Sequence, residues 1–225
     1  MGVRALSLAL WGAVLLQSAG SGRLDLLLRA VFHPLVWTSG GVLLVLAALE
    51  LRLAVGNFPR RPGPGLRPRL LLLSCAIAVL VLAQPPRPSF ANLAANRDSN
   101  LLEEPALSFV LPPAQRSLTD WVRLLRSEPD PSLHAGDPVR ISGFVLPVKG
   151  DRPQLARLIV RCCLVDASPI GLPVRWPAGR PHPQADRWMA LEGVMGIETR
   201  NGQPRSVVMA SRVQPIPRPL RPLEP

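Results

Sequence analysis

The chain has 225 residues, a hydrophobic content of 48 % and a formal net charge of +11. The first 100 residues hold 10 basic and 3 acidic side chains, a net charge of +7, and Lys149 is the one lysine in a chain otherwise rich in arginine. Because the excess surrounds apolar segments and no dense basic run with interleaved aromatic residues occurs, it indicates membrane topology signals and argues against nucleic acid as a partner.

Three apolar runs predict three transmembrane helices in contact with membrane lipid, at about residues 3–20, 35–53 and 68–84. A span needs about 20 apolar residues. The second run meets this length. The third is shorter, although Leu66 extends it and Arg67 could reach the headgroups. The first run also fits a secretory signal, with Arg4 before its core and small residues near Gly20.

Arginine distribution predicts which side of the membrane each loop occupies. The loop between the second and third runs carries more arginine than the loop before it, at Arg52, Arg60, Arg61, Arg67 and Arg69 against Arg23 and Arg29. By the positive-inside rule the second loop is cytoplasmic, so three spans leave the C-terminal domain extracytoplasmic. At the start of the second span, Pro34 after His33 suits the first turn of a helix.

The remaining chain divides into a linker, a soluble domain and a tail. Residues 85–113 are rich in proline and predict an extended tether, which contains Asn96 and Arg97. Residues 114–214 predict the soluble domain. Residues 215–225 are again rich in proline, and we expect no regular structure there.

The sequence of the soluble domain predicts one helix followed by five short strands. The helix begins at Ser117 and ends near Glu128, before two prolines. Strands are predicted at 139–146, 155–163, 172–176, 188–195 and 206–213. Gly143 marks a bulge or a close approach. This pattern favours a small OB-like five-stranded β-barrel, with its main apolar mass in Trp121, Phe144, Leu158, Val160, Trp188 and Leu191.

The adjacent pair Cys162 and Cys163, followed by Asp166, is the main candidate site. Side chains alternate along a strand, so two neighbouring cysteines face the same site only where the strand ends or bulges. Residues 164–169 have the composition of a strand end that turns over. Asp166 suits either a ligand or a turn cap.

Four interpretations of the cysteine pair remain open. It is a buried structural cysteine with an inert neighbour, a soft-metal site for an ion such as Zn²⁺ or Cu⁺, a redox dithiol, or a covalent nucleophile. The metal site would use Cys162, Cys163 and Asp166, with His182 as a fourth ligand. Arg161 could favour a thiolate. No phosphate loop, Ser-His-Asp set or paired carboxylates occur, so we predict no enzyme.

These features resemble one bacterial family. The segments that carry the resemblance are Ser21–Leu24, His33–Pro34, Ala95–Arg97, Ser142–Val145, Ala156–Val174, Trp188 and Leu191–Gly193. The chain resembles YcgQ-type membrane proteins, the small subunits of two-component permeases. The resemblance implies a larger multi-spanning permease as partner and an accessory role in transport, without a substrate or a catalytic residue. A membrane-tethered thiol redox protein and an assembly factor with no transport role remain the alternatives. It adds supporting positions around the cysteines at Arg161, Gly143, Phe144, Trp188 and Gly193, and a membrane-side motif at His33, Pro34, Asn96 and Arg97.

Overall fold

The computed structural model describes residues 3–55, 68–83, 88–95, 97, 111–179 and 182–224. The chain separates into two compact units, Met1–Arg87 and Pro88–Pro225. The first unit is helical and the second contains all six strands of the described residues. Asn96 of the predicted membrane-side motif and Leu66 of the predicted third span lie outside the described residues.

The first unit contains four helices in its described part. They are α1 (Val3–Gly20), α2 (Leu24–Leu27), α3 (His33–Val55) and α4 (Pro68–Ala83). Pro34 occupies the first turn of α3, as predicted, because a proline there removes an N–H that has no helical partner. The ring of His33 lies 3.4 Å from the carbonyl oxygen of Leu28, so this histidine contacts the preceding turn.

Two helical segments of the described residues, not three, are long and apolar enough to cross a membrane: Val3–Gly20 and Ala30–Ala54. The prediction of three full-length spans is therefore not met. Helix α4 is apolar but has 16 residues, which give about 24 Å at 1.5 Å per residue, against a hydrocarbon core of about 30 Å.

Small and polar side chains join α1 to its neighbours. Gly12 of α1 and Gly40 of α3 face each other, and a Cβ at either would lie 2.9 Å from a leucine side chain of the opposite helix. Trp11 donates from Nε1 to Ser74 Oγ of α4 at 2.8 Å, and Ser7 Oγ lies 3.3 Å from the same hydroxyl. Close glycine contacts and interhelical hydrogen bonds are typical of helices that associate in lipid.

The second unit is built on a closed five-stranded barrel, as predicted. Its strands are β1 (Pro138–Leu146), β2 (Gln154–Ile159), β3 (Ser168–Arg175), β4 (Trp188–Arg200) and β5 (Gln203–Pro215). The order β1-β4-β5-β3-β2 closes through a β1–β2 pairing. The β3–β5 contact is parallel, and the other four pairings in the ring are antiparallel.

Strands β2 to β5 have boundaries that differ from the predicted ones, and β3 begins at Ser168 rather than at residue 172. Strand β2 ends at Ile159 rather than at residue 163, so the cysteines lie beyond it. Strands β4 and β5 form a hairpin of 13 residues on each side, longer than predicted, because Gly202 with φ +78° closes a tight turn between them. The tail was predicted to lack regular structure, but it contains the short strand β6 (Leu223–Glu224). Strand β6 pairs with the last two residues of β2, which β1 does not reach.

Two apolar clusters stabilise this unit. Helix α6 (Leu118–Ser127) begins with a capping box between Ser117 and Asp120 and packs Trp121 among the barrel strands. Helix α5 (Phe90–Ala95), which belongs to the predicted linker, contributes to a second cluster. That cluster consists of Phe90, Ala94, Phe144, Leu146, Ala156, Leu158, Val160, Ala167 and Trp188. The six predicted core residues are all buried, but they divide between the two clusters.

Gly143 permits the close approach of β1 and β2. A Cβ at this position would collide with the carbonyl oxygen of Ala156, which is backbone and cannot move without disturbing the ladder. The predicted bulge lies elsewhere, between Glu192 and Gly193, where a Cβ on the glycine would collide with Met209. Both glycines therefore serve strand packing.

We expect Gly143→Ala to lower the free energy of unfolding of the second unit by about 2 kcal/mol or more, because backbone must shift to admit the methyl group. Gly171→Ala is the matched control. Its nearest neighbour would be the flexible end of Gln154, at 3.0 Å. Urea unfolding followed by tryptophan fluorescence measures both. Equal losses in the two variants would contradict this account.

Candidate thiol and metal site

The cysteine pair lies on the turn between β2 and β3, immediately before a 3₁₀ turn at Leu164–Asp166. The carboxylate of Asp166 accepts hydrogen bonds from the backbone N–H groups of Arg161, Cys162 and Cys163 at 3.0, 2.8 and 3.4 Å. In return, Cys163 Sγ accepts from the backbone N–H of Asp166. This is a capping box with a thiol in the usual hydroxyl position. The predicted role of Asp166 as a turn cap is confirmed.

The two sulfurs converge on one side of this turn. Cys162 Sγ and Cys163 Sγ lie 3.5 Å apart, and both cysteines are free. Together with a carboxylate oxygen of Asp166, they form a set of potential ligand atoms within 4.8 Å of one another. Cys162 is exposed and Cys163 is half-buried, so the interpretation of a buried structural cysteine does not fit either residue.

Asp166 also raises the pKa of the Cys162 thiol. A hydrogen bond from Cys162 to this carboxylate, with a further one to Cys163, raises the pKa of Cys162 to about 12. Burial raises the pKa of Asp166, but the hydrogen bonds it accepts from Cys162, Arg161 and Cys163 outweigh this and hold the pKa below its ordinary value. Stabilisation of a thiolate by Arg161 stays a prediction from the sequence.

Arg97 holds the same turn from the other side. Its Nη1 donates to the carbonyl oxygens of Leu164 and Ala167, at 2.9 and 2.6 Å, which flank the 3₁₀ turn. The sequence placed Arg97 in a membrane-side motif with His33, whereas the structure places it in the second unit. Arg97 lies two residues after the short helix α5, which the sequence predicted to be part of an extended tether.

The turn rests on the second apolar cluster. Val160 and Ala167 belong to this cluster, and Leu164 packs against it. Phe144 and Trp188 lie in its centre, with ring centroids 6.0 Å apart, and the Arg157 guanidinium lies 4.8 Å from the Trp188 ring centroid. The predicted supporting aromatic residues thus act through packing beneath the turn, whereas Gly143 and Gly193 support the strands.

The predicted fourth ligand, His182, does not join this site. It lines a separate cavity with Asp151, Glu198 and Arg205. His134, the other histidine of the second unit, lies 3.1 Å from Glu128 and 3.3 Å from Asp137 and has a structural role. Among the described residues, the ligand set is limited to Cys162, Cys163 and Asp166.

The distance between the sulfurs suits a bent metal coordination. With metal–sulfur bonds of about 2.3 Å, as in zinc sites, a separation of 3.5 Å corresponds to an S–metal–S angle of roughly 100°, close to tetrahedral. A linear two-coordinate ion would need the sulfurs more than about 4 Å apart with such bonds. The set therefore fits Zn²⁺ or a similar soft ion better than linear Cu⁺, and it leaves coordination positions open.

Comparisons with protein-family profiles, curated proteins and solved structures find no match for this chain. Membership of the YcgQ-type family therefore stays a prediction from the sequence.

We expect Asp166→Asn to speed alkylation of Cys162 at pH 8. The carboxylate raises the pKa of the Cys162 thiol, so its replacement by a neutral amide lowers this pKa and increases the thiolate fraction. A less basic thiolate is also a weaker nucleophile, and this offsets part of the effect of the larger thiolate fraction. We expect the alkylation rate to rise roughly tenfold or more. The measurement is the rate of iodoacetamide labelling in a Cys75→Ala, Cys163→Ser background.

Asp130→Asn is the control for this experiment. Asp130 also caps a turn in the second unit, by accepting from the backbone N–H of Ser132. Its replacement should leave the labelling rate of Cys162 unchanged. An identical rate in Asp166→Asn and the parent would show that the carboxylate does not control the thiol.

Proposed function

We propose that this protein is a membrane-anchored accessory subunit that binds a soft metal ion through Cys162 and Cys163 and serves a larger multi-spanning permease. The observation that carries the metal part is the convergence of two thiols and a carboxylate within 4.8 Å. Asp166 orients the turn and offers a third ligand. One divalent ion bound by both sulfurs displaces two protons, one from each thiol.

The apolar helices support the membrane part of this proposal. Large apolar side chains on α3 and α4 are exposed, among them Leu35 at 66 %, Val45 at 59 % and Leu80 at 59 %. A helix from the core of a soluble protein buries such a stripe. Lipid is the medium in which an all-round apolar surface is stable.

The second unit provides a rigid scaffold for binding. Its strand order, with the parallel β3–β5 contact, supports assignment as an OB-like barrel, a fold that closes its edges and presents ligands at its loops. The cysteines lie on one such loop, on a turn held by Asp166 and Arg97. A site preorganised in this way loses little conformational entropy on binding.

Metal binding is tested with Cd²⁺ on the full-length protein in detergent. We expect one ion per chain and a thiolate-to-metal charge-transfer band. Cys162→Ser combined with Cys163→Ser should abolish the band. The control is Cys75→Ala, which removes the buried cysteine of α4 and should leave the band unchanged. A band that persists in the double variant would overturn the metal assignment.

The pH dependence of binding follows from the protons released. Because the pKa of Cys162 is raised to about 12, protons compete with the metal throughout the neutral range. The apparent affinity should therefore rise with pH, by about 100-fold per unit when both thiols are protonated in the free protein. Cd²⁺ titrations at pH 6, 7 and 8 measure this slope. A flat profile would contradict thiol coordination.

Arg97 should influence the metal without touching it. We expect Arg97→Gln to weaken Cd²⁺ binding about 10-fold, since residues that orient ligands typically contribute this much. Arg126→Gln is the control, on helix α6 of the same unit. Unchanged affinity in Arg97→Gln would show that the turn is held adequately by Asp166 alone.

Two further experiments test on which side of the membrane the second unit lies and whether a permease is its partner. A membrane-impermeant maleimide should label Cys162 in intact cells if α4 crosses the bilayer and the second unit is extracytoplasmic, whereas protection until lysis would place it in the cytoplasm.

Affinity capture from native membranes should recover a multi-spanning protein in stoichiometric amount. Recovery of the chain alone would remove the permease from the proposal.

A redox dithiol is the second candidate, favoured by the 3.5 Å distance between the sulfurs. Oxidation would join Cys162 Sγ and Cys163 Sγ and release two protons and two electrons to a disulfide-exchange partner. The raised pKa of Cys162 opposes this role, because thiolate is the attacking species. A free-thiol count that changes by two between oxidising and reducing glutathione buffers would favour the redox function over the metal.

A further inference from the structure

A second, independent feature of the barrel unit is an open cavity of about 600 Å³. It lies where the β1–β2 loop, the end of β3, the β3–β4 loop and the tip of the β4–β5 hairpin meet. Its described lining residues are Gly150, Asp151, Arg152, Pro153, Arg175, His182, Glu198, Thr199, Arg200 and Arg205. The cysteine turn contributes none of these.

The cavity has an excess of positive charge. Its described lining contains four arginines against Asp151 and Glu198, a net charge of +2 without counting His182. Two arginines would suffice to neutralise two carboxylates. Two of the four arginines are therefore not needed to neutralise the carboxylates of the cavity. Their positive charge attracts anions.

Buried carboxylates hold the arginines in place. The Glu198 side chain is 7 % exposed and accepts from Arg152 at 2.5 Å and from Arg205 at 2.6 Å. Asp151, 9 % exposed, accepts from Arg205 at 2.9 Å and also pairs with Arg200. The hydrogen bond from Arg205, followed by that from Arg152, keeps the pKa of Glu198 below its ordinary value despite burial. Glu198 is thus ionised at neutral pH.

Much of the arginine donor capacity remains available to a ligand. Each guanidinium carries five N–H donors in a planar fork. Arg175 is 48 % exposed and has a contact of 3.5 Å with Glu198, and Arg152 is 40 % exposed. Forks of this kind bind phosphate and carboxylate oxygens in pairs of parallel hydrogen bonds. Phe, Tyr and Trp are absent from the described lining residues, so the cavity lacks the large aromatic rings on which nucleobases usually stack.

We propose that this cavity binds a small multivalent phosphate-type oxyanion through Arg152, Arg175, Arg200 and Arg205. The ligand is either a soluble phosphate compound or the phosphate of a lipid headgroup, since both present the same oxygens. Asp151 and Glu198 position the arginines and do not contact the anion. The anion site shares no residue with the metal site. Each of the two proposals can therefore be wrong without the other.

The test uses isothermal titration of the full-length protein in a non-ionic detergent with pyrophosphate. We expect saturable binding with one site per chain. Arg175→Gln should weaken it at least 10-fold, because a charged hydrogen-bonding partner is lost. Glu198 keeps its two closer arginines in this variant, so the fold should persist, and thermal unfolding checks that it does.

Arg212→Gln is the matched control. Arg212 is also an exposed arginine with one carboxylate contact, to Glu192 at 3.3 Å, but it does not line the cavity. The Arg212→Gln variant should bind pyrophosphate with the same affinity as the parent protein. Equal weakening by both variants, or no saturable binding at all, would overturn the proposal.

Glycerol 3-phosphate and dihexanoyl phosphatidic acid, which carry the same phosphate monoester without and with acyl chains, distinguish the two sources. Stronger displacement of pyrophosphate by the phosphatidic acid supports the lipid source, and equal displacement by the two compounds supports a soluble phosphate compound. The Cys162→Ser, Cys163→Ser variant should bind pyrophosphate like the parent. This separates the outcome from that of the metal experiment.

Discussion

The carboxylate of Asp166 is the interaction on which the candidate site depends. Adjacent residues of a regular strand direct their side chains to opposite faces, so Cys162 and Cys163 could not share a ligand within β2. By accepting three consecutive backbone N–H groups, Asp166 folds the chain back directly after the strand. The local conformation, rather than the spacing of the cysteines, brings the sulfurs within 3.5 Å.

The same carboxylate lowers the reactivity of Cys162. It stabilises the protonated form of Cys162, which makes this thiol a poor nucleophile at neutral pH. A metal ion is different, because its own charge replaces the proton and turns the nearby carboxylate into a favourable neighbour. An arrangement that suppresses the reactivity of Cys162 while this residue stays exposed therefore favours metal capture over covalent chemistry.

The sequence predicted much of this framework and missed contacts that depend on tertiary structure. Period-two patterns located all five barrel strands, and Ser117 with Asp120 located the start of α6, because these signals are local. The predicted end of β2 was wrong because Val160, Cys162 and Cys163 continue the apolar composition of the strand beyond its last paired residue, Ile159. Arg97 and Phe90 were assigned to a tether, because nothing in a proline-rich segment reveals that one side chain reaches two carbonyl oxygens about 70 residues away. The charged cavity was missed for the same reason, as its arginines come from four separate segments.

Strand β2 separates the two candidate sites of the barrel. Arg152 and Pro153 precede it at the cavity, and the cysteine turn follows it. Six residues at about 3.3 Å each place these ends roughly 20 Å apart. At that distance, about two Debye lengths at physiological ionic strength, charge at one site has little direct influence on the other. Strand β1 pairs with β2 at Gln154–Ala156, and β3 pairs with β2 over its whole length. Coupling between an anion at one end and a metal at the other would therefore have to be mechanical, through the register of β2 in the barrel.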